Sequence, residues 1–223
     1  MNSYSAVAAL ISASALLAMP ATASTEKLLY SFPANGHPFG RLDQDSEGAL
    51  YGTGTYIDGG GAVYRLKQRK GVWRYATLFD FSSNRGQFPF AGPLVDQTTG
   101  FLYGTTHQGG KGGFGAVYSL APAGPRWSEN VLHSFSNSDG AYPYAMLLKD
   151  KASGDLYGTA NSGGVYNCGT AFQLAQLNGN WTFSTIYNFQ GGNDACYPLT
   201  QLKPGAKAGT LIGGSLSGAL AEA

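Results

Sequence analysis

Short runs of alternating apolar and polar residues, separated by turns rich in Gly, Asn, Asp and Pro, cover the chain from residue 28 onwards. One run is Val131-Leu132-His133-Ser134-Phe135, and similar runs end in Phe at positions 32, 81 and 189. A period of two over about four to eight residues predicts β-strands, and this region shows no helical periodicity. We therefore predict an all-β fold.

The runs form a tandem repeat of about 54 residues. Each run ending in Phe is followed by a ring residue and Pro, then by the motif G-x-L-Y-G-T, a glycine-rich loop and a further strand-like run. The motif occupies residues 48–53, 100–105 and 154–159, with a decayed copy at 209–214. Four strand-like runs in a repeat of this length are typical of a β-propeller blade.

The phase of the repeat predicts how the ring would close. We expect one repeat domain over residues 24–223, with sixteen strands. Its approximate repeats are 33–81, 82–135, 136–189 and a degenerate 190–223 that the strand 28–32 would complete. Such closure of four blades by the N-terminal strand leaves no sheet edge exposed.

The fourth repeat is the weak point of this prediction. Ala221 and Ala223 stand where the other copies have an aromatic residue and Leu, and the preceding loop is shorter. Loss of a buried aromatic ring to Ala costs about 3–5 kcal/mol where the site cannot collapse. The alternatives are therefore an open fragment of a larger propeller, or a truncated chain without function.

The N-terminus has the pattern of an export signal. An apolar run from Ala6 to Met19 is followed by Pro20 and by Ala21-Thr22-Ala23, an A-x-A cleavage site. The run is too short to span a bilayer as a helix, which takes about 20 residues. We predict a secretory signal peptide over residues 1–23, cleaved after Ala23, and an exported protein, periplasmic or extracellular, without a membrane span.

The repeated residues resemble a known family. Val131 to Phe135, followed by Asp139-Gly140-Ala141-Tyr142-Pro143, by Gly154 to Thr159 and by Gly169 to Leu174, is similar to the GloVer tandem repeat of exported bacterial proteins. The resemblance extends from Lys27 to about Gly214. It implies an exported, all-β repeat protein of a kind often displayed at the cell surface, and it supplies no catalytic residue.

The two cysteines are the strongest local signal. Cys168 precedes the third strand of its blade, and Cys196 lies two residues before the Pro that opens the next inner strand. In an up-and-down blade these two connections emerge on the same face, and an oxidising compartment favours a bond between them. We predict a Cys168–Cys196 disulfide, with two free buried thiols as the alternative.

Composition then excludes several classes. The chain is 43% hydrophobic and 12% charged, with 14 Lys and Arg against 13 Asp and Glu, which gives a net charge of +1. Hydrophobicity at this level excludes disorder, and a near-zero charge does not provide the electrostatic footprint of a nucleic-acid binder. We expect a monomer that does not bind nucleic acid.

The side chains offer little catalytic or metal chemistry. His37, His107 and His133 lie in different repeats without zinc-ligand spacing, and we expect His133 to be a packed strand residue. The turns at 137–140 and 192–195 could hold calcium but also suit ordinary Asx turns. We expect no cofactor, no metal and no catalytic residue.

The loops on one face provide the candidate ligand site. These loops combine rings with small polar groups, which suits recognition of a glycan or a protein loop. The candidate residues are Tyr56, Asp58, His107, Gln108, Asp139, Tyr142, Asn161 and Tyr166. The preferred hypothesis is a binding or display module; the alternatives are a carbohydrate-active hydrolase or lyase with acids on this face, and residues that only make turns.

Overall fold

The computed structural model describes residues 28–32, 38–55, 59–124, 126–192, 194, 196–205, 209–214 and 220–222. They contain sixteen β-strands in four antiparallel sheets, which confirms the predicted all-β, propeller-like architecture. Among these residues, no helix is long and apolar enough to cross a membrane. We call the sheets blades 1 to 4 in chain order.

Blades 1 and 2 are regular four-stranded sheets in which neighbouring strands are consecutive in sequence. Blade 1 contains β1 (Pro38–Gln44), β2 (Leu50–Gly54), β3 (Ala62–Arg69) and β4 (Val72–Asp80). Blade 2 contains β5 (Leu94–Val95), β6 (Leu102–Thr106), β7 (Ala116–Ala123) and β8 (Arg126–Ser134). The G-x-L-Y-G-T motif forms the second strand in each, as predicted.

Blades 3 and 4 depart from this regularity. Blade 3 contains β9 (Ala141–Pro143), β10 (Leu148–Lys149), β11 (Leu156–Ser162), β12 (Thr170–Leu177) and β13 (Asn180–Asn188). Both β9 and β10 pair with β11, so they are two halves of one broken inner strand. Blade 4 contains β14 (Lys203–Pro204), β15 (Leu211–Gly214) and β16 (Leu220–Glu222), so the decayed fourth copy still forms a sheet.

The two outer strands of blades 1 and 3 are joined by two-residue turns. Lys70-Gly71 and Asn178-Gly179 all have positive φ, between 50° and 79°. Two successive residues with positive φ are the requirement of a type I′ turn, whose twist matches that of the flanking strands. This turn sets the register that puts Trp73 and Trp181 at equivalent places.

The core lies between neighbouring blades, at contacts that we call the first, second and third joints. At the first joint Phe81 of blade 1 packs on Tyr118 of blade 2, with ring centroids 4.9 Å apart. At the second joint Phe135 packs on Phe172 at 5.3 Å. The Phe that ends each outer strand is thus the apolar anchor of the following blade.

A backbone link accompanies each anchor. The ring residues before Pro, namely Phe88, Tyr142 and Tyr197, have φ of 57°, 56° and 59°. Each donates its backbone N–H to a carbonyl of the preceding blade: Gly60, Phe114 and Cys168 respectively. Left-handed φ is costly for a bulky residue, so the joint itself has to hold these residues in place.

The N-terminal segment differs from its prediction. Residues 28–32 are not a strand, and no described strand pairs with β16 on its free side. Phe32 instead packs on Tyr64 at 5.0 Å, and Tyr30 stacks on Tyr75 at 5.1 Å. Since aromatic packing on blade 1 places the segment without a ladder, the predicted strand 28–32 is wrong, and ring closure stays a prediction.

The structure has the predicted number of strands, sixteen, but not the predicted set of strands. The broken inner strand of blade 3 supplies the additional strand that residues 28–32 do not. The predicted disulfide between Cys168 and Cys196 is confirmed, and it links the loop before β12 to the connection that enters blade 4. It therefore lies at the third joint.

Candidate functional site

Three rings from three blades meet where the inner strands begin. Phe39, Phe90 and Tyr144 each directly follow the Pro of their repeat. Phe90 and Tyr144 are stacked with centroids 4.9 Å apart, and Phe39 meets them edge-on at 5.3 Å and 6.1 Å. We call these three residues the hub cluster.

The hub cluster joins blades that are not sequence neighbours. Phe39 belongs to blade 1 and Tyr144 to blade 3, so their contact spans the space between the inner strands. The Thr53 hydroxyl donates to the carbonyls of Phe39 and Ala91, which ties the inner strands of blades 1 and 2 beside the rings. Phe39 nevertheless keeps 42% of its surface exposed, so the cluster presents an apolar ring to solvent.

Two of the candidate residues of the loop face, His107 and Tyr142, pack against this cluster. The His107 ring lies 4.9 Å from Phe90, 5.2 Å from Tyr142 and 6.0 Å from Tyr144. Burial lowers the pKa of His107, against hydrogen bonds to the backbone of Pro143 and Tyr142 that raise it. The imidazole is therefore neutral near pH 7 and adds a polar but uncharged edge to the rings.

Of the other predicted residues that the structure describes, none joins this cluster. Gln108 is exposed, and its backbone pairs with that of Gln87. Asn161 occupies the position of His107 in the next repeat, and its buried Nδ2 has no hydrogen-bond partner among the described residues. Tyr166 is 53% exposed beside the more exposed Val165 at the tip of its loop. Tyr56 and Asp58 lie outside the described residues.

The acids of the loop face are engaged in turns. Asp139 accepts hydrogen bonds from His133 Nε2 at 3.0 Å and from the Ser136 N–H at 2.9 Å. Asp194 accepts from the Tyr187 hydroxyl and the Gln190 N–H. Their carboxylates therefore stabilise the links between blades, and in the part of the chain that the structure describes no three His, Cys, Asp or Glu residues are grouped to hold a metal.

His133 packs as predicted for a strand residue. Its ring stacks on Phe183 with centroids 3.6 Å apart and planes 7° apart. Burial lowers the pKa of His133, while the charge and hydrogen bond of Asp139 raise it. The residue thus connects the second joint to the turn at Asp139.

Glu129 is a buried acid away from the loop face. Burial raises its pKa to about 7, and the charge of Arg85 opposes that shift. Glu129 lies on β8, at the position that Tyr75 and Phe183 occupy in the other two blades. The carboxylate therefore replaces a packed ring, and its charged neighbour is the guanidinium of Arg85 at 3.7 Å rather than a second acid.

The positive charge is unevenly distributed. Five of the 14 basic residues fall on the β3–β4 hairpin of blade 1: Arg65, Lys67, Arg69, Lys70 and Arg74. Within this strip, Lys67 donates to the carboxylate of Glu47 at 2.6 Å. A near-zero net charge thus conceals a local basic strip on the outer edge of blade 1.

The hub cluster was missed in the sequence, although a signal for it was present. The repeat places an aromatic residue directly after Pro at 39, 90 and 144, and Leu199 in the fourth copy. The interpretation used the ring before each Pro and the glycine loops instead. These residues occupy the same position at the start of three inner strands. Because the inner strands of a propeller face one another around its centre, residues at that position are expected to lie close together.

Comparison with known proteins identifies a repeat family. A family model described as the Gloeobacter/Verrucomicrobia repeat matches residues 13–222, nearly the whole chain. The match covers all four blades and agrees with the resemblance noted from the repeated motifs. Among curated proteins, none matches the chain.

Proposed function

The chain belongs to the Gloeobacter/Verrucomicrobia repeat family, and we propose that it is an exported module that binds carbohydrate through the hub cluster and the surrounding loop face. The main observation behind this proposal is the cluster of the Phe39, Phe90 and Tyr144 rings, with His107 and Tyr142 packed beside it. Export is supported by the disulfide, which persists in oxidising compartments.

The chemistry of the cluster suits a sugar ring. Sugars present apolar C–H faces that pack on aromatic rings, and hydroxyls that need neutral hydrogen-bonding groups. Phe39 offers an exposed ring, and Tyr144, whose ring lies 6.1 Å from it, adds a phenol hydroxyl to the cluster. A neutral or weakly polar saccharide fits this surface better than a charged one.

Binding is favoured over hydrolysis by the state of the acids. A glycosidase needs two carboxylates about 5–9.5 Å apart with one free to donate a proton. Asp139 and Asp194 are held by hydrogen bonds within their turns, and Glu129, with its raised pKa, lies on an outer strand. The preferred function is therefore recognition without turnover.

A glycan array probed with the recombinant chain tests the proposal. We expect saturable binding of a subset of neutral glycans, which Phe39→Ala weakens because it removes the exposed ring. Tyr166→Ala is the matched control, since Tyr166 is also exposed but lies outside the hub cluster.

Two results would reject carbohydrate recognition at the hub. One is an array without binding by a chain whose far-ultraviolet circular dichroism shows a folded β-protein. The other is binding that Phe39→Ala and Tyr166→Ala reduce equally, which would place the ligand elsewhere on the face.

A further inference from the structure

Four of the five cations of the basic strip lie on one face of the β3–β4 hairpin. Arg65, Lys67 and Arg69 are alternate residues of β3, so their side chains share a face at intervals of about 6.8 Å along the strand. Arg74 lies directly opposite Lys67 on β4 and therefore shares that face. The face thus carries a row of three positive charges with a fourth beside its middle.

The equivalent four positions of blades 2 and 3 carry no charge. They are occupied, in the order of Arg65, Lys67, Arg69 and Arg74, by Ser119, Ala121, Ala123 and Ser128 in blade 2 and by Gln173, Ala175, Leu177 and Thr182 in blade 3. The three hairpins have the same register, so the hairpin does not need a cation at any of these positions to form. The row of charge is therefore a property of blade 1 and not of the repeat.

The charged face borders an open groove. A cavity of about 320 Å³ is lined by Arg65, Lys67, Arg69, Arg74, Tyr75 and Ala76. Arg65 and Ala76 also line a cavity of about 480 Å³, which extends to Arg126 and Trp127 of blade 2. We call the two cavities together the lateral groove. It leads from the hairpin of blade 1 towards the outer hairpin of blade 2.

The acids near the lateral groove do not neutralise it. Glu47 accepts from Lys67, and Asp80 borders the second cavity, where two arginines outnumber it. Among the described residues neither Arg69 nor Arg74 forms an ion pair, and both side chains are exposed. The groove therefore has an excess of positive charge.

Arg65 lines both cavities and has unused hydrogen-bonding capacity. Its side chain interacts with the Tyr51 hydroxyl, which donates to Asp45 at 3.0 Å. Its Nε is buried and has no hydrogen-bond partner among the described residues. A guanidinium holds five N–H donors in one plane, in a geometry that matches the oxygens of an oxyanion. An anionic group in the groove would meet an arginine that Tyr51 already orients.

The lateral groove offers charge without a free aromatic platform. Proteins that bind single-stranded nucleic acid combine a basic groove with rings on which the bases stack. The three rings at the two cavities already pack on other rings: Tyr75 on Tyr30, Trp127 on Tyr51 and Phe79 on Phe81. A ligand recognised through repeated anionic groups fits this surface better than one recognised through bases.

We propose that the lateral groove binds an acidic polysaccharide, whose carboxylate or sulfate groups on successive sugars contact the row of cations. Each exposed ion pair contributes little by itself, so a ligand that repeats its charge is the kind that such a row can retain. The groove lies on outer strands and the hub cluster lies at the inner strands, so this interaction goes beyond the proposed neutral-glycan site and does not depend on it.

Titration calorimetry on the full chain tests the proposal. Polygalacturonate or dextran sulfate should bind saturably at low ionic strength, and added salt should weaken the binding. Methyl-esterified polygalacturonate keeps the same sugar backbone without the charge, and it should bind much more weakly. Equal affinity for the acidic and the esterified polymer, or no binding of either acidic polymer by the folded chain, would overturn the proposal.

A charge-neutralising double variant locates the site. Arg69→Gln combined with Arg74→Gln should weaken binding of the acidic polymer roughly tenfold and make its salt dependence less steep. Lys111→Gln combined with Lys151→Gln is the matched control, because it removes two exposed charges from blades 2 and 3. Equal losses in the two variants would mean that total charge and not the lateral groove determines binding, which would overturn the assignment.

Three further measurements separate this site from its alternatives. Phe39→Ala should leave binding of polygalacturonate unchanged, and a loss equal to that of the double arginine variant would assign the acidic glycan to the hub cluster instead. A single-stranded oligonucleotide and vesicles of anionic phospholipid should bind more weakly than polygalacturonate at the same ionic strength. Tighter binding of either one, lost in the double arginine variant, would overturn the polysaccharide in favour of nucleic acid or lipid.

Discussion

The second and third joints are built from the same motifs and are stabilised differently. At the second joint the Thr105 hydroxyl donates to the carbonyl of Ala145 in the next blade. At the third joint the equivalent hydroxyl, on Thr159, is buried without a hydrogen-bond partner in the described residues, as is the amide nitrogen of Asn161. The hydroxyl of Thr200, on the blade 4 side, is instead bonded to Gly214 of its own blade.

The apolar contacts are also less extensive at the third joint than at the second. Phe135 meets a ring of the next blade, whereas Phe189 packs with Leu202 and Ala171 in a cluster of three buried residues. The disulfide lies at this poorer joint and not at the other two. The comparison indicates that a covalent link holds the fourth blade where its own packing and hydrogen bonds are reduced.

The largest expected difference between the joints is in their phenylalanines. Phe135→Ala should lower the free energy of unfolding by about 4 kcal/mol, since it empties a buried site between two rings. Phe189→Ala should cost below about 3 kcal/mol, because its smaller cluster can collapse. Urea unfolding measures both variants, and equal losses would show that the third joint is packed as well as the second.

The disulfide should have the next largest effect. Replacing Cys168 and Cys196 by Ser is expected to cost about 3 kcal/mol, because a closed loop with a sequence separation of 28 residues restricts the unfolded chain. Hydrogen exchange should quicken first in β14 and β15. Dithiothreitol provides the control: it should lower the melting temperature of the parent and leave the double variant unchanged.

The first joint contains an acid whose protonation is linked to folding. The pKa of Glu129 is raised from 4.5 to about 7 in the folded state, so the folded chain holds this proton at pH values where the unfolded chain has released it. The contribution of Glu129 to stability should therefore be greatest below about pH 4.5 and fall by roughly 3 kcal/mol as the pH rises through 7. Glu129→Gln should remove this fall.

Thermal melts of Glu129→Gln and its parent between pH 5 and 8 measure the effect. Parallel profiles would mean that the carboxylate is not the group responsible. Arg85→Gln serves as the partner control: loss of the opposing positive charge should steepen the parent's decline, because Arg85 lowers the pKa of Glu129.

The smallest expected effect concerns the hydroxyls of Thr105 and Thr159, whose removal should have different consequences for stability. Thr105→Val should cost about 1 kcal/mol, because the Ala145 carbonyl loses its donor. Thr159→Val should be neutral or slightly stabilising, because the hydroxyl it removes has no partner among the residues described. Denaturant midpoints resolve the pair, and a loss at Thr159 equal to that at Thr105 would disprove the difference in hydrogen bonding.

The sequence predicted the blades because their markers are local. Alternation, the L-Y-G-T motif and the turn residues each depend on a few neighbouring positions, and the repeat displays them several times. The disulfide was also predictable, since the phase of the repeat puts Cys168 and Cys196 on the same face. Repetition thus compensated for the absence of long-range information.

The hub cluster was less predictable because its residues are distant in the sequence and meet only in the folded chain. Phe39 and Tyr144 lie more than a hundred residues apart, and they meet only because blades 1 to 3 pack side by side in the folded chain. The segment 28–32 was misread because alternation indicates the capacity for a strand but not the presence of a partner edge. The rings of Phe32 and Tyr30 pack instead on Tyr64 and Tyr75 of blade 1.

The anchoring of the Phe before a blade on the third strand of that blade has a consequence for how such chains can grow by gene duplication. Phe32, Phe81 and Phe135 each contact the aromatic residue of the next third strand, so one sequence repeat contains half of one joint and half of the next. A gene duplication whose two breakpoints fall at equivalent codons would therefore insert a new blade with both of its joints complete. Such a chain could lengthen by whole repeats without any compensating substitution in the blades already present.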